Sequence, residues 1–92
     1  MNRGQLIPRT NAAAALIDDI YARRGLSFMG LAAEMGCNHS YLSRVRSGTR
    51  NPSRAWVETF IVRCKLTKEE AIRAYEVFGY IPPGYRVIKD AA

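Results

Sequence analysis

The chain has 92 residues, of which 48% are hydrophobic, and its 14 Lys and Arg residues outnumber its 8 Asp and Glu residues to give a net charge of +6. This length corresponds to one domain, and the composition is that of a folded chain rather than a disordered one. The longest apolar run, residues 12–17, is far shorter than the ~20 residues that a membrane span needs. The positive charge favours a polyanionic partner, most often nucleic acid.

The expected location is a reducing cytoplasm. The apolar run continues into Asp18 without a cleavage-site pattern, so we expect no export signal. Two cysteines, Cys37 and Cys64, are too few for a disulfide framework and are expected to be packed thiols.

The N-terminal part predicts an arm followed by one helix. Residues 1–10 are polar and are expected to be irregular. Asn11 is a candidate N-cap for a helix over residues 12–24, and Gly25 is its stop signal. The apolar residues of this helix recur on one side: Leu16, Ile17, Ile20 and Tyr21.

Two short helices follow, each with its own start and stop signal. Ser27 is predicted to cap the second helix, which ends at Gly36, and Asn38 to cap a third over residues 39–47, which ends at Gly48. The residues predicted to face inward are Leu31, Ala32 and Met35 in the second helix and Tyr41, Leu42 and Val45 in the third.

The C-terminal part predicts two more helices and a tail. Pro52 and Ser53 open the fourth helix, and the sequence from Thr67 to Glu70 is a capping box for the fifth, which ends at Gly79. Their apolar positions are Val57, Phe60, Ile61 and Cys64, then Ala71, Ile72, Tyr75 and Phe78. Pro82 and Pro83 prevent continuation, and residues 85–88 are compatible with an extended segment. The whole pattern predicts an all-α bundle of five helices, with residues 11–79 as the domain and 80–92 as its tail.

Positive charge is concentrated in the third helix and the loop after it. No acidic residue occurs between Glu34 and Glu58, and this interval contains Arg44, Arg46, Arg50 and Arg54. Helix positions 40, 43, 44 and 47 share a polar face, which suits the major groove of DNA. The alternative is a solvated cationic face, but such faces usually alternate Lys with Glu. Trp56, next to this loop, is expected to be a partly buried residue or to stack on a sugar.

Residues 27–54 resemble the helix-turn-helix of the Cro/phage-repressor (Xre-like) family. The matching features are Leu31-Ala32, Gly36 in the turn, Cys37, Asn38, Leu42-Ser43, Gly48, Arg50, Pro52 and Ser53. With its flanking helices the resemblance covers about residues 11–79, and it implies a lambda-repressor-like bundle.

The resemblance implies that helix 39–47 is the recognition helix. The positions that read bases in the family fall on His39, Ser40 and Arg44, with Ser43 close enough to join them. The positions expected to contact phosphate are Ser27, Phe28, Asn38, Arg46, Ser47, Thr49, Arg50, Asn51 and Arg54.

Two departures from the family pattern bear on these expectations. The family often pairs a Glu, two residues before the third-helix glycine, with an Arg of the first helix. Here those positions hold Arg46 and Tyr21, so we expect no ion pair and an Arg46 that is free to reach phosphate. Phe28 stands where the family usually has a polar side chain, so contacts there depend on Ser27 or on backbone N–H groups.

The sequence offers few residues that could serve catalysis or bind a metal. His39 is the only histidine, and no carboxylate lies nearby in the sequence to orient it with Ser40 or Ser43. His39, Cys37 and Cys64 would supply at most three metal ligands. We therefore expect no enzyme activity, no cofactor and no small-molecule ligand.

The sequence predicts a sequence-specific, repressor-like transcriptional regulator that binds double-stranded DNA on the nucleoid. The alternatives are an antitoxin-type partner-binding module with autoregulatory DNA binding, and a DNA-binding accessory factor of a mobile element. We expect a homodimer, at least on DNA, through apolar C-terminal residues, although the tail has the alternative of covering its own core. The residues of this surface are Tyr75, Phe78, Tyr80, Ile81, Tyr85, Val87 and Ile88.

Overall fold

The computed structural model describes residues 8–84, with side chains from residue 12 onward. Within this range the chain forms five helices and no strand, which confirms the all-α prediction. The helices are α1 (Pro8–Arg23), α2 (Phe28–Met35), α3 (His39–Ser47), α4 (Arg54–Arg63) and α5 (Lys68–Phe78). The tail segment 85–88, predicted to be compatible with an extended conformation, lies outside the described residues.

The start of α1 differs from the prediction. The helix begins at Pro8 rather than at residue 12, so Asn11 lies inside α1 and does not cap it. Proline is favoured at the first helical position, and the alanines after Asn11 have the highest helix propensity, so the helix extends towards the N-terminus past the polar residue. At the other end, the Leu26 N–H donates to the Tyr21 carbonyl across 2.8 Å, with Gly25 at φ 68°.

The predicted caps at Ser27, Asn38 and Thr67 are confirmed, whereas the fourth helix begins at Arg54, so that Ser53, predicted to open it, is its cap and Pro52 lies before it. Ser27, Asn38 and Ser53 each accept a hydrogen bond from a backbone N–H of the first turn, at 2.9, 2.8 and 3.1 Å. Thr67 accepts from the Glu70 N–H, and Glu70 Oε1 accepts in return from the Thr67 N–H at 2.9 Å. Each cap contributes about 1 kcal/mol to helix stability, so these residues define where the helices begin.

The core lies between α1 and the helices packed around it. α1 packs against α2, α3 and α5, and α4 packs against α2 and α5. The fully buried side chains include Leu16, Ile17, Ile20, Leu31, Leu42, Val45, Val57, Phe60 and Cys64. The predicted inward faces of α1 to α4 are therefore largely confirmed. The outer sides of α2 and α3 remain in contact with solvent.

Ion pairs link α1 to α2 and α5. The pairs are Arg24–Glu34 at 3.7 Å, Arg23–Glu70 at 2.6 Å and Asp19–Arg73 at 2.9 Å. The hydrogen-bonded Arg23 guanidinium also holds the pKa of the Glu70 carboxyl below its ordinary value. Exposed pairs of this kind contribute about 0–1 kcal/mol each, so the apolar core dominates the stability of the bundle.

The turn between α2 and α3 requires glycine at position 36. Gly36 adopts φ 70°, a left-handed conformation that side chains rarely tolerate. A Cβ at this position would also lie 3.1 Å from Nη1 of Arg63. The next N–H, of Cys37, donates to the Ala32 carbonyl at 3.1 Å and closes the end of α2. The turn thereby fixes the angle at which α3 leaves α2.

Candidate nucleic-acid interface

The two sides of α3 have opposite character. Leu42 and Val45 are completely buried against the core. The opposite side presents four exposed side chains, which are the base-reading residues predicted from the sequence: His39, Ser40, Ser43 and Arg44. A nine-residue helix anchored along one side presents a straight polar edge to solvent.

These four side chains have no partner of their own. Within residues 12–84, none of them forms a hydrogen bond or an ion pair through its side chain. Their donors and acceptors are therefore satisfied by water, which a ligand can replace without breaking a protein contact. Arg44 carries a full positive charge with five N–H donors at this edge.

Arg46 is placed differently from the prediction. Its Nε lies 2.8 Å from Asp18 Oδ1 and its Nη2 lies 2.6 Å from Asp18 Oδ2, which is a bidentate pair between α3 and α1. This hydrogen bonding lowers the pKa of the Asp18 carboxyl and raises that of the Arg46 guanidinium. The expectation of an unpaired Arg46 is wrong. Asp18 lies one helical turn before Tyr21 on the same side of α1. The ion pair therefore uses residue 18 of α1 and not residue 21, which is the position of the family's pairing arginine.

The α3–α4 loop, residues 48–53, begins by folding back on α3. Ser47 Oγ donates to the Arg44 carbonyl at 3.1 Å and lies 2.8 Å from Thr49 Oγ1. The Arg50 N–H donates to the same Arg44 carbonyl at 3.1 Å. The Arg44 carbonyl, near the end of α3, thus accepts two hydrogen bonds. These bonds hold the first half of the loop in one conformation.

The second half of this loop is attached to the end of α5. The Asn51 side-chain amide donates to the Phe78 carbonyl at 3.2 Å. The Tyr80 hydroxyl donates to the Pro52 carbonyl at 2.7 Å, and Pro52 itself is buried. The side chain of Asn51, predicted from the sequence to contact phosphate, therefore has a contact within the domain.

Arg50 in the loop and Arg54 at the start of α4 are held against aromatic rings. The guanidinium carbon of Arg50 lies 5.4 Å from the centre of the Tyr41 ring, and that of Arg54 lies 5.1 Å from the centre of the Tyr75 ring. Arg54 also pairs with Glu58 at 3.3 Å. Stacking leaves a cation's charge in place, so Arg50 keeps its full charge whereas that of Arg54 is partly neutralised by Glu58.

The start of α2 provides a further surface beside α3. The Ser27 hydroxyl accepts the cap hydrogen bond from Gly30 and retains its own proton for donation. Phe28 is half-buried and contacts Tyr21 edge to face, with ring centres 6.1 Å apart. A shallow depression here is lined by Tyr21, Phe28, Ser43 and Arg46. The first backbone N–H groups of a helix have no carbonyl partner within that helix, so they can donate to a ligand at its N-terminus.

Trp56 belongs to an aromatic cluster behind α3. Its ring lies 5.3 Å from that of Phe60, 6.2 Å from that of Tyr41 and 6.2 Å from that of Phe78. The indole N–H is enclosed and has no hydrogen-bond partner among residues 12–84. The ring contacts place Trp56, itself in α4, against α3 and α5.

Both cysteines are free thiols in different surroundings. Cys64 is fully buried, and this burial raises its pKa to about 11, while burial also raises the pKa of the half-buried Cys37. Cys64 Sγ lies 3.9 Å from Met35 Sδ in the core. Within residues 12–84 no three His, Cys, Asp or Glu side chains are grouped so that they could hold a metal ion.

The comparison with protein families agrees with this geometry. A family profile described as a helix-turn-helix domain matches residues 20–74, more than half of the chain. The chain belongs to the helix-turn-helix family. The match includes α2, the turn and α3 of this helix-turn-helix protein in full, and it is consistent with the resemblance to Xre-like sequences.

The other comparisons add no relative of this helix-turn-helix protein. No curated protein and no solved structure matches the chain. None of the described helices has the length and apolar character that crossing a bilayer requires.

Proposed function

We propose that this protein is a sequence-specific, repressor-like transcriptional regulator that binds double-stranded DNA in the cytoplasm, on the nucleoid. The observation that carries the proposal is the outer side of α3 in a helix-turn-helix domain, where four polar side chains are exposed and have no partner among residues 12–84. The major groove is about 12 Å wide and admits one α-helix. A second helix, α2, and its turn would hold α3 at a fixed angle to the groove.

In this proposal Arg44 reads bases together with the shorter side chains beside it. A guanidinium forks onto the O6 and N7 acceptors of guanine, a contact that discriminates by about 1–3 kcal/mol. Ser40 and Ser43 would donate to or accept from several bases, and His39 lies at the end of α3 that enters the groove first.

Phosphate contacts would come from both sides of α3. Ser27 and the first N–H groups of α2 offer donors on one side, and Arg50 offers an unneutralised charge on the other. The remaining proposed contacts, with smaller contributions, are those of Phe28, Asn38, Ser47, Thr49, Asn51 and Arg54. These contacts would set the register of the protein on DNA and carry no sequence information.

We also propose that two copies bind together on DNA. One recognition helix contacts only a few base pairs, and paired domains in such proteins read half-sites ~34 Å apart. Two residues of the surface predicted for pairing, Tyr75 and Phe78, are buried in the domain's own core. The proposed pairing element is therefore the segment 80–92, in which Ile81 is 48% exposed.

Selection of binding sites from random DNA duplexes tests this function. We expect a common motif arranged as an inverted repeat, bound with an affinity that falls by about 0.9 log units per log unit of salt for each phosphate contact. A salt slope near zero, or no enriched motif, would contradict the proposal. Genomic sites at promoters support regulation, whereas sites at recombination ends or transfer origins identify an accessory factor of a mobile element.

A further inference from the structure

The Asp18–Arg46 pair has bidentate geometry but is partly exposed to water. Both carboxylate oxygens accept from Arg46, yet the side chains are 35% and 42% exposed. Water that reaches both side chains screens the attraction between the two charges and limits what the pair contributes to stability. The pair also neutralises the charge of Arg46, since its hydrogen bonds stabilise the ionised Asp18 and lower the pKa of that carboxyl.

The position of Arg46 gives this neutralisation a consequence for DNA binding. Arg46 lines the depression that also contains Phe28, at the start of α2, and Ser43, on the outer side of α3. An unpaired guanidinium at this point would lie beside the proposed phosphate contacts of α2 and would strengthen binding to every DNA sequence equally. The affinity for all DNA would rise and would depend more steeply on salt, while the ratio of specific to non-specific affinity would stay nearly the same.

We propose that Asp18 limits the sequence-independent part of the DNA affinity, because it binds the Arg46 guanidinium with both carboxylate oxygens and so withholds it from the DNA backbone. This inference rests on the proposed function. Asp18 acts as a positioning residue, since it contacts Arg46 and not DNA. The expected result of the pair is a lower affinity for every duplex, selected or unrelated, and a smaller salt dependence than an unpaired Arg46 would give.

The chain offers a matched control at the next position. Asp19 carries the same charge but pairs with Arg73 on α5 at 2.9 Å. The substitutions Asp18→Asn and Asp19→Asn change the net charge by the same amount, so long-range effects of charge affect both variants. Only Asp18→Asn releases a cation at the side of α3.

The experiment measures affinity for the selected site and for an unrelated duplex over a series of salt concentrations. We expect Asp18→Asn to bind the unrelated duplex roughly 5–10-fold more tightly than Asp19→Asn at 0.1 M salt, with a slope steeper by about 0.9. The affinity for the selected site should rise by a similar factor in Asp18→Asn, so the specificity ratio should stay near the wild-type value in both variants. Equal slopes for the two variants, or weaker binding of Asp18→Asn to both duplexes, would overturn the inference.

A second variant keeps the test valid if Asp18→Asn disturbs the fold. The double substitution Asp18→Asn with Arg46→Gln retains the wild-type net charge and two side chains that can hydrogen-bond to each other. We expect its salt slope to equal that of the wild type, because Arg46 does not contact phosphate there. A slope lower by about 0.9 would show that Arg46 already contacts DNA, which overturns the inference.

The fluorescence of Trp56, the only tryptophan, reports whether each variant is folded. The wild-type protein separates the two levels of the proposal. If it binds no duplex in a salt-dependent way, the proposed function itself fails. If it binds but the variants behave alike, only the role of Asp18 fails.

Discussion

The outer side of α3 and the α3–α4 loop that follows it are adjacent in the chain but differ in how their polar side chains are used. On α3, His39, Ser40, Ser43 and Arg44 have no partner among residues 12–84. In the loop and at its two ends, the side chains of Ser47, Asn51 and Arg50 bind other parts of the domain. The helix thus carries free hydrogen-bonding groups on a rigid support, whereas the loop has a shape that is set before any ligand binds.

This difference separates two requirements of DNA recognition. Base reading needs groups that are free to match a sequence, and the cost of leaving a wrong base unmatched provides the discrimination. Backbone binding needs a charge at a fixed place, and a loop that is already ordered loses less conformational entropy on binding. The α3 side fits the first requirement and the loop with Arg50 fits the second.

The largest expected effect is that of Arg44→Ala. Removing the only charged group on the free side of α3 should weaken binding to the selected site by about 1–3 kcal/mol and relax the preference at one or two base pairs. Titration of the selected site and of single-base variants measures this. If specific and non-specific binding fall by the same factor, Arg44 contacts the backbone and the contrast between the helix and the loop is wrong.

Arg50→Ala should have a smaller and more uniform effect. Loss of one phosphate contact lowers the salt slope by about 0.9, which corresponds to roughly 1 kcal/mol at 0.1 M salt, on selected and unrelated duplexes alike. Salt titrations of Arg50→Ala on the selected and the unrelated duplex test this, with Arg44→Ala measured in parallel as the reference variant. A change in base preference in Arg50→Ala would place the loop, too, in base reading.

Tyr80→Phe tests whether the loop is held by the end of α5. The change removes only the hydroxyl that donates to the Pro52 carbonyl, and it should lower the free energy of unfolding by about 0.5–1 kcal/mol. Urea denaturation followed by Trp56 fluorescence measures this loss. Unchanged stability in Tyr80→Phe would mean that the loop does not depend on this bond.

The smallest expected effect is that of Glu58→Gln. Its pair with Arg54 is exposed and joins positions i and i+4 of α4. Loss of the pair should therefore lower the free energy of unfolding by about 0.3–0.5 kcal/mol. Without Glu58 the charge of Arg54 is no longer neutralised, so binding to unrelated DNA should strengthen slightly at low salt. A weaker salt dependence than that of the wild type would contradict this view of Arg54.

Local signals explain how much of the fold could be predicted. The bounds of α3, the caps at Ser27, Asn38 and Thr67 and the glycine stops depend on residues within about four positions of one another. The start of α1 was missed because a cap signal at Asn11 competed with proline and alanine propensities, which favour a longer helix.

The contacts that were missed join distant parts of the sequence. Arg46 was expected to be free because Tyr21 occupies the position of the family's pairing residue on the first helix, yet Asp18, 28 residues away in the sequence, pairs with it between α1 and α3. Asn51 meets the end of α5 in the same way. Such pairs depend on how helices pack, which helical periodicity alone does not determine.

The contact between α1 and α3 also limits how this protein can be re-engineered. One way to change the target sequence of the proposed function is to replace α3, the proposed recognition helix, by the corresponding helix of another helix-turn-helix protein. In relatives that carry Glu at the position of Arg46, the transplanted helix would bring a second carboxylate against Asp18, and like charges at this distance destabilise the contact. A functional graft onto this scaffold must therefore exchange residue 18 together with α3, so the transferable unit is a pair of helices.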